Sequence, residues 1–133
     1  MKSFKQFFKE SEDPVFSEKE EIYIKGVGGP FMAKVDSGND AFCVLHGEDV
    51  KINGDKVSFK SFGKELFKDL VDIIKINVGA GVEEERPIVK FDIKIGGEIY
   101  NNVKFSIGNR ETNDEKILLG LKFLKPLKAT IKL

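Results

Sequence analysis

The sequence is poor in reactive and metal-binding side chains: its 133 residues include one cysteine, one histidine and no tryptophan. A lone cysteine excludes an internal disulfide, and one Cys with one His falls short of the ligand set of an ordinary structural zinc site. An excess of either charge is also missing, since 22 Lys and Arg balance 22 Asp and Glu. Proteins that track a phosphate backbone carry a basic surplus or a basic face, so nucleic acid is not an expected partner. No run approaches the roughly 18 apolar residues that a membrane-spanning helix needs, and the N-terminus is too charged to hold a secretory apolar segment. The expectation is a cytoplasmic protein with no membrane partner. Its 41% hydrophobic and 33% charged residues are ordinary for a folded domain, and one compact unit is the default at this length.

Residues 1–14 read as a separate tail. Phe4, Phe7 and Phe8 fall at i, i+3 and i+4 among Lys2, Lys5, Lys9 and Glu10, the pattern of a short amphipathic helix, and Pro14 ends it. Two roles stay open for residues 1–13: a peripheral helix covering the domain surface, or a docking peptide for a partner protein. The opening from Met1 to Phe8 resembles the start of many proteins of large tailed phages, which implies host cytoplasm or virion as the location.

From Glu21 onward the hydrophobic period is two, and the punctuation is Gly and Asn. This predicts a mainly β domain over 21–133. Strands are expected at Ile22–Lys25, Phe31–Val35, Ala41–Leu45, Val50–Ile52, Lys56–Phe62, Ile73–Val78, Ile88–Ile95, Ile99–Ile107, Ile117–Leu119 and Ala129–Leu133. The clearest alternation is Val89, Phe91, Ile93 and Ile95 against Lys90, Asp92 and Lys94, one face for the core and one for water. Gly96-Gly97 and Asn53-Gly54 supply tight hairpin turns, and Gly26, Gly28, Gly29 and Pro30 mark a third reversal. Lys64–Leu70 suits a short helix, Gly79–Glu85 an exposed loop, and Leu121–Leu124 one helical turn between Gly120 and Pro126. So many short strands with hardly any helix imply a small closed barrel or a sandwich.

One segment departs from plain strand-and-turn logic: Ala33-Lys34-Val35-Asp36-Ser37-Gly38, followed by Asn39, Asp40 and the apolar run Ala41–Leu45. It puts an acid at the end of a strand in a tight Ser-Gly turn, where backbone N–H groups and a hydroxyl are able to fix a carboxylate. As a bare triplet it is also an ordinary β-turn. The second element is Ile117-Leu118-Leu119-Gly120: a buried strand ending on a Gly implies close approach of another piece of backbone. If that neighbour is the Asp36 loop, Gly120 is there because a side chain would not fit. Between the two lies the Asn53-Gly54 hairpin, long enough to cover a cleft.

In this order of parts the sequence resembles the retropepsin-like aspartic proteases. It is most similar to the bacterial and phage family that carries the label ATP-dependent zinc proteases. The matching pieces are Lys34-Val35-Asp36-Ser37-Gly38-Asn39, Leu45-His46, Glu85-Arg86-Pro87-Ile88, Gly96-Gly97, Asn109-Arg110 and Leu118-Leu119-Gly120, spanning about 22–124. Ser37 replaces the family's Thr and keeps the hydroxyl; Asn39 replaces an Ala with a larger polar side chain. The resemblance implies a retropepsin-like barrel and an aspartic endopeptidase that works as a two-fold homodimer on a peptide or protein substrate. Asp36 would be the catalytic residue, one from each subunit. Ser37 would brace the loop across the dimer, Gly38 would give backbone room and an N–H donor, and Gly120 would support the loop from behind. The hairpin Val50–Phe59, with Ile52, Asn53, Gly54 and Val57, would be the flap, and Ala129–Leu133 would pair at the subunit interface.

No cofactor or metal is expected. Cys43 and His46 have a Cys-x-x-His spacing with no second pair to complete a tetrahedral zinc site, and Cys43 between Phe42 and Val44 reads as a small core residue. Gly26-Val27-Gly28-Gly29 lacks the trailing Lys-Ser/Thr of a phosphate loop, and Glu83-Glu84-Glu85 reads as a solvated run. The competing reading keeps the fold without catalysis: a binding or structural module, a component of a phage particle or assembly.

Overall fold

Side chains that alternate between core and water produce strands, and the two longest strands follow this rule. The structure, a computed structural model, describes residues 13–39 and 41–132. Its strands are β1 (Val15–Ser17), β2 (Lys19–Ile24), β3 (Gly28–Val35), β4 (Cys43–His46), β5 (Glu48–Asn53), β6 (Lys56–Ser61), β7 (Lys64–Asp69), β8 (Asp72–Gly79), β9 (Val82–Ile95), β10 (Glu98–Gly108), β11 (Ile117–Leu119) and β12 (Thr130–Lys132). One helical turn, α1 (Leu121–Leu124), stands among them. In β9, Val89, Phe91, Ile93 and Ile95 are buried, while Lys90 and Lys94 are exposed. The Gly96-Gly97 turn, both residues at positive φ, returns the chain as β10, which pairs antiparallel with β9 and buries Val103, Phe105 and Ile107.

Six strands close on themselves in the order β10-β4-β11-β3-β2-β9, and the β9–β10 hairpin completes the ring. Closure leaves no free edge within the ring, which is how an all-β domain avoids open-ended pairing. The interior is filled by Ile22, Ile24, Leu45, Phe105, Ile107, Ile117 and Leu119, each at most 1% exposed. β8 extends the sheet beyond β9, and β5-β6-β7 form a separate three-stranded sheet. A small parallel pair joins β1 to β12, with Val15 opposite Thr130.

Two expectations are corrected. Lys64–Leu70 is not helical: Lys64–Asp69 is β7, paired residue for residue with β6 from Ser61↔Lys64 to Lys56↔Asp69. Leu66 faces the core and Phe67 faces water, 77% exposed, so the Leu-Phe doublet that mimics a helical stripe is split between two faces. Gly79–Glu85 is not a loop either. β8 and β9 run on to Gly79 and Val82, leaving Ala80-Gly81 as the turn, both at positive φ (52° and 75°). That is the geometry a two-residue hairpin needs, carried by an Ala in place of the usual Asn or Asp. The N-terminal helix expected over Met1–Asp13 lies, up to residue 12, outside the described residues, as does the last residue of the expected strand Ala129–Leu133.

Candidate functional site

β3 and β4 are consecutive in the chain but do not pair. β11 is inserted between them, parallel to β3 (Leu119↔Val35) and antiparallel to β4 (Ile117↔Leu45). The connection from β3 to β4, which contains Asp36, must therefore cross the end of β11, and the residue at that end is Gly120. Asp36 donates its backbone N–H to the Leu119 carbonyl at 3.0 Å, extending the β3–β11 ladder by one bond. Its carboxylate oxygen Oδ1 accepts the Gly38 N–H at 3.1 Å, and its carbonyl accepts the Asn39 N–H at 3.1 Å. These bonds hold a half-buried carboxylate at a strand end, beside the exposed Ser37 and Gly38.

Asn39 turns its side chain back into the loop: Oδ1 accepts the Ala41 N–H at 3.0 Å and Nδ2 donates to the Phe42 carbonyl at 3.4 Å. The larger residue at this position is thus engaged within the loop. Its carbonyl accepts the Leu121 N–H at 2.8 Å, tying the loop to the start of α1. Gly120 lies underneath, where a Cβ would sit 2.5 Å from the Ala41 carbonyl oxygen, 2.8 Å from that of Phe42 and 3.2 Å from Asn39 Nδ2. Gly38 is different: a Cβ there meets only Asp36 Oδ1, at an ordinary 3.4 Å.

A second cluster adjoins the loop. His46, at the end of β4 and buried, accepts the Arg110 backbone N–H on Nδ1 at 2.8 Å, and its Nε2 lies 3.5 Å from Glu48. Its carbonyl accepts the Ser61 hydroxyl at 2.6 Å, so one residue joins the base of the β5–β6 hairpin to the 109–116 connection. Lys116 folds that connection by donating to the carbonyls of Arg110, Glu111 and Asn113. The Arg110 guanidinium donates from Nε to the Glu115 carbonyl at 2.7 Å. Burial holds Arg110 below its ordinary pKa, the charge of Arg86 lowers it further, and the carboxylates of Glu115 and Asp36 oppose both. Arg86 pairs with Glu84 at 2.6 Å and lies flat over Gly108, where a Cβ would come within 2.6 Å of its Nε.

The sequence contains only two arginines, Arg86 and Arg110, among its 22 basic residues, and the fold brings them within each other's electrostatic reach near Asp36. The motif pieces Glu85-Arg86-Pro87 and Asn109-Arg110 were visible in the sequence without a role. The usable signal was the choice of Arg in a Lys-rich chain, since a planar fork with several donors is not interchangeable with an ammonium.

The hairpin residues sit apart from this loop. Asn53 and Gly54, at φ +64°, form the β5–β6 turn; Ile52 is exposed, and Val57 turns inward to the core. Among the described residues neither they nor Ile52 hydrogen-bond to the Asp36 loop within one chain. Ile52 instead lines a cleft of about 360 Å³ shared by β5, Arg86 and Gly108.

The residues do not fit zinc. Cys43 is buried in the barrel and its thiol is pushed up to about 12 by burial, so the thiolate that a metal needs is disfavoured. The Nδ1 lone pair of His46 is taken by Arg110. Among the described residues no three His, Cys, Asp or Glu side chains gather as a metal site.

No family model matches this chain, and no curated protein matches it. Among solved structures the chain is similar to Lpg0085 of Legionella pneumophila, a protein of unknown function (DUF785). The two share 19% identity and a TM-score of 0.73, over 91% of this chain and 94% of that one. At that identity the likeness extends to the fold, a mainly β barrel, and no further.

Proposed function

We propose that the chain is a retropepsin-like aspartic endopeptidase that acts as a homodimer, each subunit contributing one Asp36. The observation that supports this reading is the loop crossing between β3 and β4: a half-buried carboxylate with one oxygen held by the Gly38 N–H, in a loop whose 39–42 part rests on Gly120, where there is no room for a side chain. With Oδ1 held, the other oxygen is left for a water and for the acid of a second subunit.

Two such carboxylates about 3 Å apart share one proton, because both cannot ionise at that separation. The ionised Asp36 takes a proton from the water between them, and the water oxygen bonds to the scissile carbonyl carbon. The protonated Asp36 of the partner subunit gives its proton to the carbonyl oxygen. Collapse of the tetrahedral intermediate breaks the C–N bond as a carboxyl returns a proton to the amine. The contact is isologous, the same loop facing its symmetry mate. The β5–β6 hairpin is the flap in this reading, and the Asn39 amide is engaged by Phe42 and Ala41 and not by the carboxylate.

The test combines solution mass with cleavage of an unstructured peptide mixture at mildly acidic pH. Expected are a species of twice the 14.9 kDa chain mass and cleavage that Asp36→Asn abolishes without lowering Tm, because the Asn oxygen still accepts the Gly38 N–H. A strict monomer, or equal cleavage by both proteins, overturns the proposal; the strict monomer leaves the non-catalytic binding module as the reading.

A further inference from the structure

β10 has a strand on both sides only in its second half. Phe105 and Ser106 pair with Val89 and Ile88 of β9 on one side and with Cys43 and Val44 of β4 on the other. Ahead of them, over residues 98–104, β9 remains and, among the described residues, no second strand pairs. β4 starts at Cys43 because the chain before it turns away to the Asp36 loop. There the Ala41 carbonyl accepts the Lys122 N–H at 3.2 Å, and the Phe42 carbonyl accepts Asn39 Nδ2 at 3.4 Å. The place that a longer β4 would occupy is an open groove of about 1080 Å³ between residues 99–104 and α1 with residues 125–127, lined by neither Asp36 nor Ser37.

An unpaired strand edge presents backbone N–H and C=O groups to an incoming strand. A bulge between Tyr100 and Val103 divides this edge, and the Asn102 N–H is taken by the Asp92 carboxylate at 2.8 Å, which leaves the stretches 98–100 and 103–104 for pairing. The floor beside them is apolar: Phe42, Tyr100, Leu121, Phe123 and Leu127 are half-buried, and Ile99 at the mouth is 65% exposed. Tyr100 and Phe123 meet edge to face at 5.4 Å, and Phe16 of β1 packs against both rings at 6.5 Å and 6.4 Å. The charge around this floor has one sign. Lys104, Lys122 and Lys125 line the groove with no Asp or Glu among its described lining residues, and Lys122 Nζ stands 5.2 Å from the centre of the Phe42 ring.

We infer that the groove receives an extended segment of a partner protein, which adds to β10 as a strand and alternates apolar with acidic residues. Each part of the groove selects one property of that segment. The open edge requires a peptide backbone, which a lipid or a small amphiphile lacks. The period of two in a strand sends alternate side chains to opposite sides, the apolar ones onto the aromatic floor and the carboxylates toward the three lysines. A basic segment would meet uncompensated like charge. The inference goes beyond the peptidase reading and stands whether or not Asp36 is catalytic.

The test is a titration of the isotope-labelled full chain with a short capped peptide alternating valine and glutamate, followed by amide resonances and amide exchange. The amides of Ile99, Tyr100, Val103 and Lys104 should shift and exchange more slowly as the peptide saturates. The same peptide with every second amide N-methylated, and one alternating valine and lysine, should each bind at least about ten-fold more weakly, the ratio that ~1.4 kcal/mol corresponds to. Lys122→Glu/Lys125→Glu, at two exposed positions, should reverse the preference between the glutamate and lysine peptides, which a merely disturbed fold would not do. Unshifted edge amides at millimolar peptide, or equal binding of the three peptides, overturn the inference. So does protection of the edge amides without peptide: if independent of protein concentration it assigns the groove to another part of this chain, and if rising with concentration, to a second copy.

Discussion

Gly120→Ala isolates the contact on which the Asp36 loop is built. The backbone at Gly120 has φ −95° and ψ 173°, ordinary extended geometry that alanine adopts freely, so any effect is steric. Elsewhere such a change stabilises a protein by about 0.4–1 kcal/mol, because alanine restricts the unfolded chain. Here the new methyl sits 2.5 Å from the Ala41 oxygen, 0.9 Å inside an ordinary 3.4 Å contact, and 2.8 Å from the Phe42 oxygen. Both obstacles are backbone, tied to β4 and α1, and neither rotates away. Overpacking of this kind costs about 1–3 kcal/mol. With two clashes at one methyl the upper part of that range applies, leaving about 2 kcal/mol of net destabilisation after the entropic gain. For a chain of this size that lowers Tm by roughly 6–12 °C. Scanning calorimetry reads the loss, and amide chemical shifts of Asn39, Ala41 and Phe42 localise it. Gly38→Ala, in the same loop but facing only ordinary contact, is the control and should leave Tm unchanged or raise it by up to about 6 °C, the gain that about 0.4–1 kcal/mol brings. A Gly120→Ala protein as stable as wild type, with those shifts unchanged, would refute the claim that the loop rests on this glycine.

His46→Ala removes the acceptor of the Arg110 N–H and should cost about 1–3 kcal/mol, the penalty of a polar group left unpaired. His46→Asn, whose oxygen stands close to the position of Nδ1, should recover part of it; urea titration of the three proteins decides. Because burial holds the Cys43 thiol up near 12, native protein should react with a thiol reagent at pH 8 only as fast as it opens, and fast labelling by an otherwise native spectrum would contradict this burial. The same shift makes the folded form the better proton binder. Its contribution to stability is complete below the thiol's unfolded value of about 8.5, then falls as pH rises toward 12, a trend that Cys43→Ala should flatten in pH-dependent melts.

Much of the barrel was legible because its strands carry their own evidence. β9 and β10 alternate cleanly, glycines or Asn-Gly mark their turns, and Ile117–Leu119 matches its observed span. The helical turn at Leu121–Leu124 was bounded by Gly120 and Pro126 in the sequence and is observed there. The misses have two causes, a partner distant in sequence and turns without their usual residues. β7 reads as a helix until β6 is beside it, and the Ala80-Gly81 turn offers no Asn or Asp. β1 is three residues long, and its partner β12 lies 115 positions away, Val15 to Thr130. At the site, Asp36, Asn39 and Gly120 are brought together by the insertion of β11, and their motifs pointed to that neighbourhood. Arg86, His46 and Arg110 were named as motif fragments, but their convergence depends on the path of the 109–116 connection, which no periodicity encodes.

The parallel clasp between β1 and β12 has a consequence for biosynthesis. A ribosome releases Val15 long before Thr130, so the first strand emerges with no mate and has to wait while the whole barrel is made. Only then do Phe16 and its aromatic neighbours Tyr100 and Phe123 enclose one another under both strands. The nascent protein thus carries β1 unpaired until the residues of β12 have left the ribosome, the interval in which a chaperone would find it.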